Sequence, residues 1–142
     1  MFDLIFRLII AYILLYSSTV IHEFSHRKYA KDLKVRLKPK KTRKFSIVFK
    51  EIEFKFPLGA MIHMDNKDLK ALPISDKKKI GLAGIKSDFI FCIFISFLVL
   101  ISSFWFEEWT FPLMLTLLGK LVMLYDSISY KRGDLQILFS SL

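Results

Sequence analysis

Three residues within a five-residue span carry the clearest chemical signal in this 142-residue sequence: the histidines and the acid of His22-Glu23-Phe24-Ser25-His26. On a helix, side chains four apart project from one face about one turn apart, so the two imidazoles can share a metal ion. Glu23 is rotated around the helix from them, where it can take a proton from metal-activated water rather than fill a coordination position. The chemistry this predicts is zinc-assisted hydrolysis, with His22 and His26 as ligands of Zn2+ and Glu23 as general base. The pattern itself fixes only three residues, and its setting gives it weight. It closes the apolar run Leu4 to Ile21, and ionisable groups are costly where they face lipid, which marks them as functional candidates.

Catalytic zinc usually takes three protein ligands and keeps one position for water, so two histidines are not enough. Asp88, Asp126, Asp134 and His63 are the eligible third ligands, with His63 in reserve. The stretch Asp126-Ser-Ile-Ser-Tyr-Lys-Arg-Gly-Asp134 leaves an apolar run, passes through a glycine, and returns to Leu135-Gln-Ile-Leu-Phe. It reads as an interrupted helix with carboxylates on both sides of the break.

The elements that must position these residues are membrane helices. An apolar fraction of 54% with 15 phenylalanines is too high for an ordinary soluble domain of this length. Three apolar runs, Leu4 to Ile21, Phe89 to Phe106 and Trp109 to Tyr125, each approach the roughly 20 residues that cross a hydrocarbon core. The expected fold is therefore mainly α and integral to the membrane, a single domain over 1–142 with helices at about 2–26, 80–106 and 109–126. A basic loop, 27–79, separates the first two, and a C-terminal ligand segment, 126–142, follows the third. The first run lacks a basic leader and a small-residue cleavage pattern, so residues 1–26 are expected to stay in the mature protein.

Charge fixes the expected orientation. Seventeen of the 22 Lys and Arg residues lie between Arg27 and Lys79, which places that loop in the cytoplasm, the amino terminus outside, and the inner ends of all three helices together. The net charge of +9 is thereby assigned to anionic lipid head groups and not to nucleic acid. Arg27 to Lys44 reads as a solvated basic stretch. From Phe45 to Met64 apolar and polar residues alternate, predicting two or three short strands broken near Pro57 and Gly59. Pro73 and the Ser75-Asp76 pair are expected to open the second helix. Cys92 is alone, so no disulfide or cysteine metal site is possible. Lys86 and Lys120 interrupt membrane runs and read as structural partners of nearby aspartates, with snorkelling an alternative for Lys86. Trp105 and Trp109 read as anchors at the outer interface.

With these motifs in order, the sequence resembles the site-2 proteases, intramembrane zinc metalloproteases built on three core membrane helices. Members carry HExxH in the first core helix, a Gly-Pro-x-x-Asn-like element in the second, and Asn-x-x-Pro followed by Asp-Gly in the third. Here the corresponding stretches are His22 to His26, Ala83-Gly84-Ile85-Lys86-Ser87-Asp88, and Asp126-Ser127-Ile128-Ser129 with Asp134. Phe56-Pro57-Leu58-Gly59-Ala60-Met61-Ile62-His63-Met64 looks like the family's Pro-Leu-Gly-Gly strand, which helps hold substrate extended. The resemblance implies Asp134 as third zinc ligand. It also implies that Asp88, Asp126, Gly59 and His63 position substrate or the catalytic core. Only the HExxH is intact: Asp88 and Asp126 stand where the family has Asn, Ile85 and Ser129 replace prolines, and Leu135 replaces a glycine.

The expected substrates are membrane-spanning proteins or hydrophobic signal-peptide remnants, cut near the cytoplasmic face of a bacterial inner membrane. Two rivals are a pseudoprotease that binds membrane segments without cutting them and a metal-binding or ion-translocating protein. The intact Glu23 argues against the first, and the clustering of polar residues at one membrane face argues against the second.

Overall fold

The computed structural model describes residues 2–42, 44–57 and 59–128. Helix α1 spans Phe2–Asp32, strands β1 (Ser46–Phe49), β2 (Ile52–Lys55) and β3 (Ala60–Ile62) follow, then the short helix α2 (Asn66–Ala71), and the long helices α3 (Ile74–Trp105) and α4 (Glu107–Ile128). Helices α1, α3 and α4 are each long and apolar enough to cross a membrane. Their outward faces keep large apolar side chains exposed, Phe6, Ile13, Phe94, Phe97, Leu118 and Val122 among them, as a lipid-facing surface requires.

Small and polar residues line the inside. Ser18, His22, His26 and Ala30, four apart along α1, are all buried, as are Gly84, Asp88 and Cys92 on α3 and Pro112, Thr116 and Lys120 on α4. Small side chains let helix backbones approach closely, which is how helices pack where lipid removes the usual hydrophobic drive. Helices α3 and α4 form an antiparallel pair joined through Phe106 alone, and both pack on α1.

Helix α1 runs past its expected end at residue 26. Its 31 residues reach about 46 Å at 1.5 Å per residue, against a hydrocarbon core of about 30 Å. The charges from Arg27 to Asp32 are thus the exposed side of a helix whose inner side still carries Ala30. Lys34, with φ 59, ends it in the left-handed conformation. Val35 N–H then donates to Ala30 O at 2.9 Å and Lys34 N–H to Lys31 O at 3.0 Å, a Schellman closure. Ala30, Val35 and Ile80 form a small buried cluster beneath Leu33, Leu37, Met64, Leu69 and Leu72.

The three strands form an antiparallel meander in the order β1-β2-β3, with Phe49 opposite Ile52 and Ile52 opposite Ile62. The β1–β2 turn carries Lys50 and Glu51 at positive φ, and Arg27 on α1 holds it by donating to Lys50 O at 3.0 Å and to Glu51 Oε2 at 2.8 Å. Beyond β2 the chain runs alongside α1. Tyr12, Tyr16 and Phe56 stack in sequence, and Tyr12 Oη donates to Pro57 O.

Two elements lie within stretches expected to be irregular. The polar segment after Met64 holds α2, which Asp65 caps by accepting from Lys67 N–H at 2.9 Å. Helix α3 starts at Ile74, directly after Pro73, six residues before the expected boundary at 80, so the Ser75-Asp76 pair lies inside its first turn rather than ahead of it. Proline fixes its own φ and cannot continue a helix backwards, so it sets the start more sharply than a polar cap.

Candidate functional site

His22 and His26 occupy adjacent turns of α1 and face the backbone of Gly84 on α3. Their rings lie edge to face, with centroids 4.8 Å apart. Each ring is fixed through Nδ1. His26 Nδ1 is 2.8 Å from Ile80 O, and His22 Nδ1 is 2.9 Å from Asp88 Oδ2. A backbone carbonyl only accepts, so His26 carries its proton on Nδ1. Asp88 is itself paired with the Lys120 ammonium, whose Nζ stands 2.5 Å from Oδ1, so its carboxylate also accepts.

Both Nε2 atoms therefore present lone pairs, and they face one another at 3.1 Å. Two acceptors at that distance repel unless a cation joins them. Tetrahedral zinc at about 2.0–2.1 Å from each of two nitrogens holds them about 3.3 Å apart. Gly84 keeps the adjoining space open, since a Cβ built there would overlap both imidazoles. Imidazoles bonded through Nδ1 to a carboxylate or carbonyl are also the usual orientation of zinc-ligating histidine. The donor set, its tautomers and its space fit a zinc ion. Among the described residues no three His, Cys, Asp or Glu side chains form a complete metal cluster, so these residues offer two candidate ligands.

Glu23 is partly buried and accepts from Ile62 N–H at 3.0 Å, which ties this carboxylate to β3. In an antiparallel strand the N–H and C=O of one residue point to the same side and alternate along the chain. Ala60 therefore turns its backbone groups to the same edge as Ile62, the edge remote from β2. A cleft of about 410 Å³ opens there, lined by Thr19, His22, Glu23, Gly59, Ala60, Met61, Asp88, Lys120, Met123, Asp126 and Ser127.

This cleft brings together His22, Glu23, Gly59, Asp88 and Asp126 from three helices and the loop before β3, while His26 lies beside it, within bonding reach of His22. Gly59 has φ +134, a conformation that side-chain-bearing residues rarely adopt. Asp126 is exposed near the end of α4. Asp134 lies outside the described residues. His63 stands elsewhere: its Nε2 donates to Glu53 Oε2 at 3.1 Å. Glu53 is fully buried and also accepts from Thr42 N–H and from the Thr42 and Ser46 hydroxyls. Burial pushes its carboxyl up, but the bonds from Ser46, His63 and Thr42 outweigh it and hold the group well below the usual carboxylate range.

Three features of the site are not evident in the motif: the closeness of Gly84 to both rings, the bond from Ile62 to Glu23, and the contact of Asp88 with Lys120. The lysine had a visible signal, a cation within the apolar run of α4. The other two depend on helix packing and strand placement that no local pattern encodes.

The chain matches peptidase family M50 over residues 10–139, and it belongs to that family, the site-2 proteases. The family is one of metallopeptidases, and the chain carries three helices long and apolar enough to cross a membrane. Comparisons with curated proteins and with solved structures return no match.

Proposed function

We propose that this member of peptidase family M50 is an intramembrane zinc protease that cuts membrane-spanning or signal-peptide-derived segments near the cytoplasmic face. The observation that carries this reading is the pair of Nε2 lone pairs facing each other at 3.1 Å, each ring held by a hydrogen bond at Nδ1. His22 and His26 would hold Zn2+ through Nε2, and Asp134 would be the third ligand, as the family resemblance implies. Bound there, the metal supplies a Lewis acid that acidifies a water and polarises the scissile carbonyl.

The remaining steps belong to the chain's own residues. Glu23 takes the proton from the attacking water and returns it to the leaving amine. An unwound substrate segment adds to the open edge of β3 at Ala60, a β-augmentation that aligns its backbone beside Glu23. Gly59 allows the close backbone approach, and Asp126 contacts the substrate at the far wall of the cleft. His63 acts at a distance by supporting Glu53 and hence the sheet. Water reaches the site because it lies where α1 turns from apolar to basic.

The positive-inside distribution supports a cytoplasmic position for 27–79, at what we propose is a bacterial inner membrane. The basic cleft formed by Arg36, Lys38, Lys40 and Lys67 faces anionic lipid head groups there.

The test is cleavage of single-span substrates by the full chain in proteoliposomes, read by mass spectrometry. Products near the cytoplasmic end of the span, lost with Glu23→Gln and with a zinc chelator and restored by zinc, are expected. Metal-loaded protein that retains membrane segments without cutting any would establish the pseudoprotease instead.

A further inference from the structure

The Lys120 ammonium is a full charge deep in the apolar part of the molecule. It lies 13 residues into α4, about 20 Å along the helix from the outer turn, and both Lys120 and Asp88 are 1% exposed. Such a pair is costly to desolvate and is a weak device for stability alone. Its location supplies another reason for it. Asp88 uses its two oxygens in opposite directions, Oδ1 toward Lys120 on α4 and Oδ2 toward His22 on α1. The contacts form one line across three helices, from Lys120 Nζ through the Asp88 carboxylate to the His22 ring.

The geometry points to Lys120 as a positioning residue for the metal centre, acting on His22 through Asp88. This rests on His22 being a zinc ligand. An aspartate side chain is free to turn about its last torsion, and a single bond to an imidazole does not fix the carboxylate plane. The ammonium on the opposite oxygen fixes it. The second oxygen is thereby aimed at Nδ1, and the Nε2 lone pair at the position shared with His26. His26 is served differently, by the Ile80 carbonyl, and lies outside this line. Lys120 therefore controls one of the two imidazoles and leaves the other alone, which a general packing role would not do.

The test uses the full chain in detergent with ¹⁵N-labelled histidine, first without metal and then titrated with zinc alone. In the metal-free wild type the Nδ1 atoms of both His22 and His26 should show as protonated. Lys120→Met should perturb the His22 ring signals while leaving those of His26 in place, and weaken zinc binding by about 10- to 100-fold, the usual cost of losing a partner behind a zinc ligand. Lys120→Arg should recover most of the affinity. The double variant Asp88→Asn with Lys120→Met removes the buried charge but also the group that fixes the plane of residue 88, so it should stay as weak in zinc binding, and as disturbed at His22, as Lys120→Met. That variant also covers the case in which the lone buried carboxylate of Lys120→Met prevents folding.

Unchanged His22 signals in Lys120→Met would overturn the inference, as would equal disturbance of both rings or a double variant that recovers wild-type zinc affinity. Should wild type take up no zinc while the His22 signals respond and recover as described, the zinc reading fails and the positioning of His22 by Lys120 stands.

Discussion

Gly84→Ala is the substitution whose consequence follows most directly from the geometry. Its new methyl group would overlap both imidazoles, and neither ring can step aside without releasing its Nδ1 partner, Asp88 for His22 and Ile80 O for His26. A hydrogen bond to a charged group contributes about 1.5–3 kcal/mol and one between neutral groups about 0.5–1.5 kcal/mol. Losing both costs about 2–4.5 kcal/mol in the arrangement that presents two lone pairs to a metal. At about 1.4 kcal/mol per decade, zinc affinity should fall by between about 30-fold and about 1,600-fold. The assay is competition between the purified protein and a chromogenic chelator, with the thermal midpoint followed in parallel to separate metal loss from unfolding. A Gly84→Ala protein that binds zinc as tightly as wild type would show that the two rings do not meet the metal beside α3, and the site as described would be wrong.

Other substitutions separate the roles of neighbouring residues. Glu23→Gln should keep zinc and keep the bond from Ile62 N–H, since an amide oxygen accepts equally well, while turnover on a single-span substrate falls by about 10²- to 10⁴-fold; equal turnover would remove Glu23 as the base. His63→Ala should leave zinc content at the wild-type level, because its partner is Glu53, and loss of metal would make it a ligand. Gly59→Ala should lower cleavage with no change in zinc, as its φ of +134 strains any side-chain-bearing residue; normal cleavage would show that this backbone is not needed in that conformation. Arg36 donates to Asp68 from its backbone and side chain and holds that carboxyl at about 2, below its ordinary 3.8. A lowered native pKa means that the unfolded chain binds the extra proton. The contribution is therefore complete above about pH 4 and drains away as the pH falls toward 2. The gap in thermal midpoint between wild type and Asp68→Asn should close over that interval, and a constant gap would refute the assignment.

The geometry was legible where it is local. Two histidines four apart at the end of an apolar run put both rings on one helix face, and the three apolar runs specify their helices, because both patterns arise within one element. Boundaries were less legible. Arg27 to Asp32 looks like a loop by charge, yet Ala30 continues the stripe of Ser18, His22 and His26, and that four-residue spacing was the available signal. The start of α3 at Ile74 was hidden by a polar opening, Ser75 to Lys79, that reads as solvated. Helix α2 is only six residues long and has no buried residue of its own, so no periodicity marks it. The Asp88–Lys120 pair and the closeness of Gly84 to both rings join residues from different helices, and only the packing of α1, α3 and α4 brings them together.

The central claim is that His22 and His26 share a zinc ion. Elemental analysis of detergent-purified protein, supplied with zinc during preparation, tests it most directly. The account predicts near-stoichiometric zinc in wild type and in Glu23→Gln, and loss of it in His22→Ala, His26→Ala and Asp134→Ala. Zinc retained in both histidine variants, or no zinc in wild type, would contradict it.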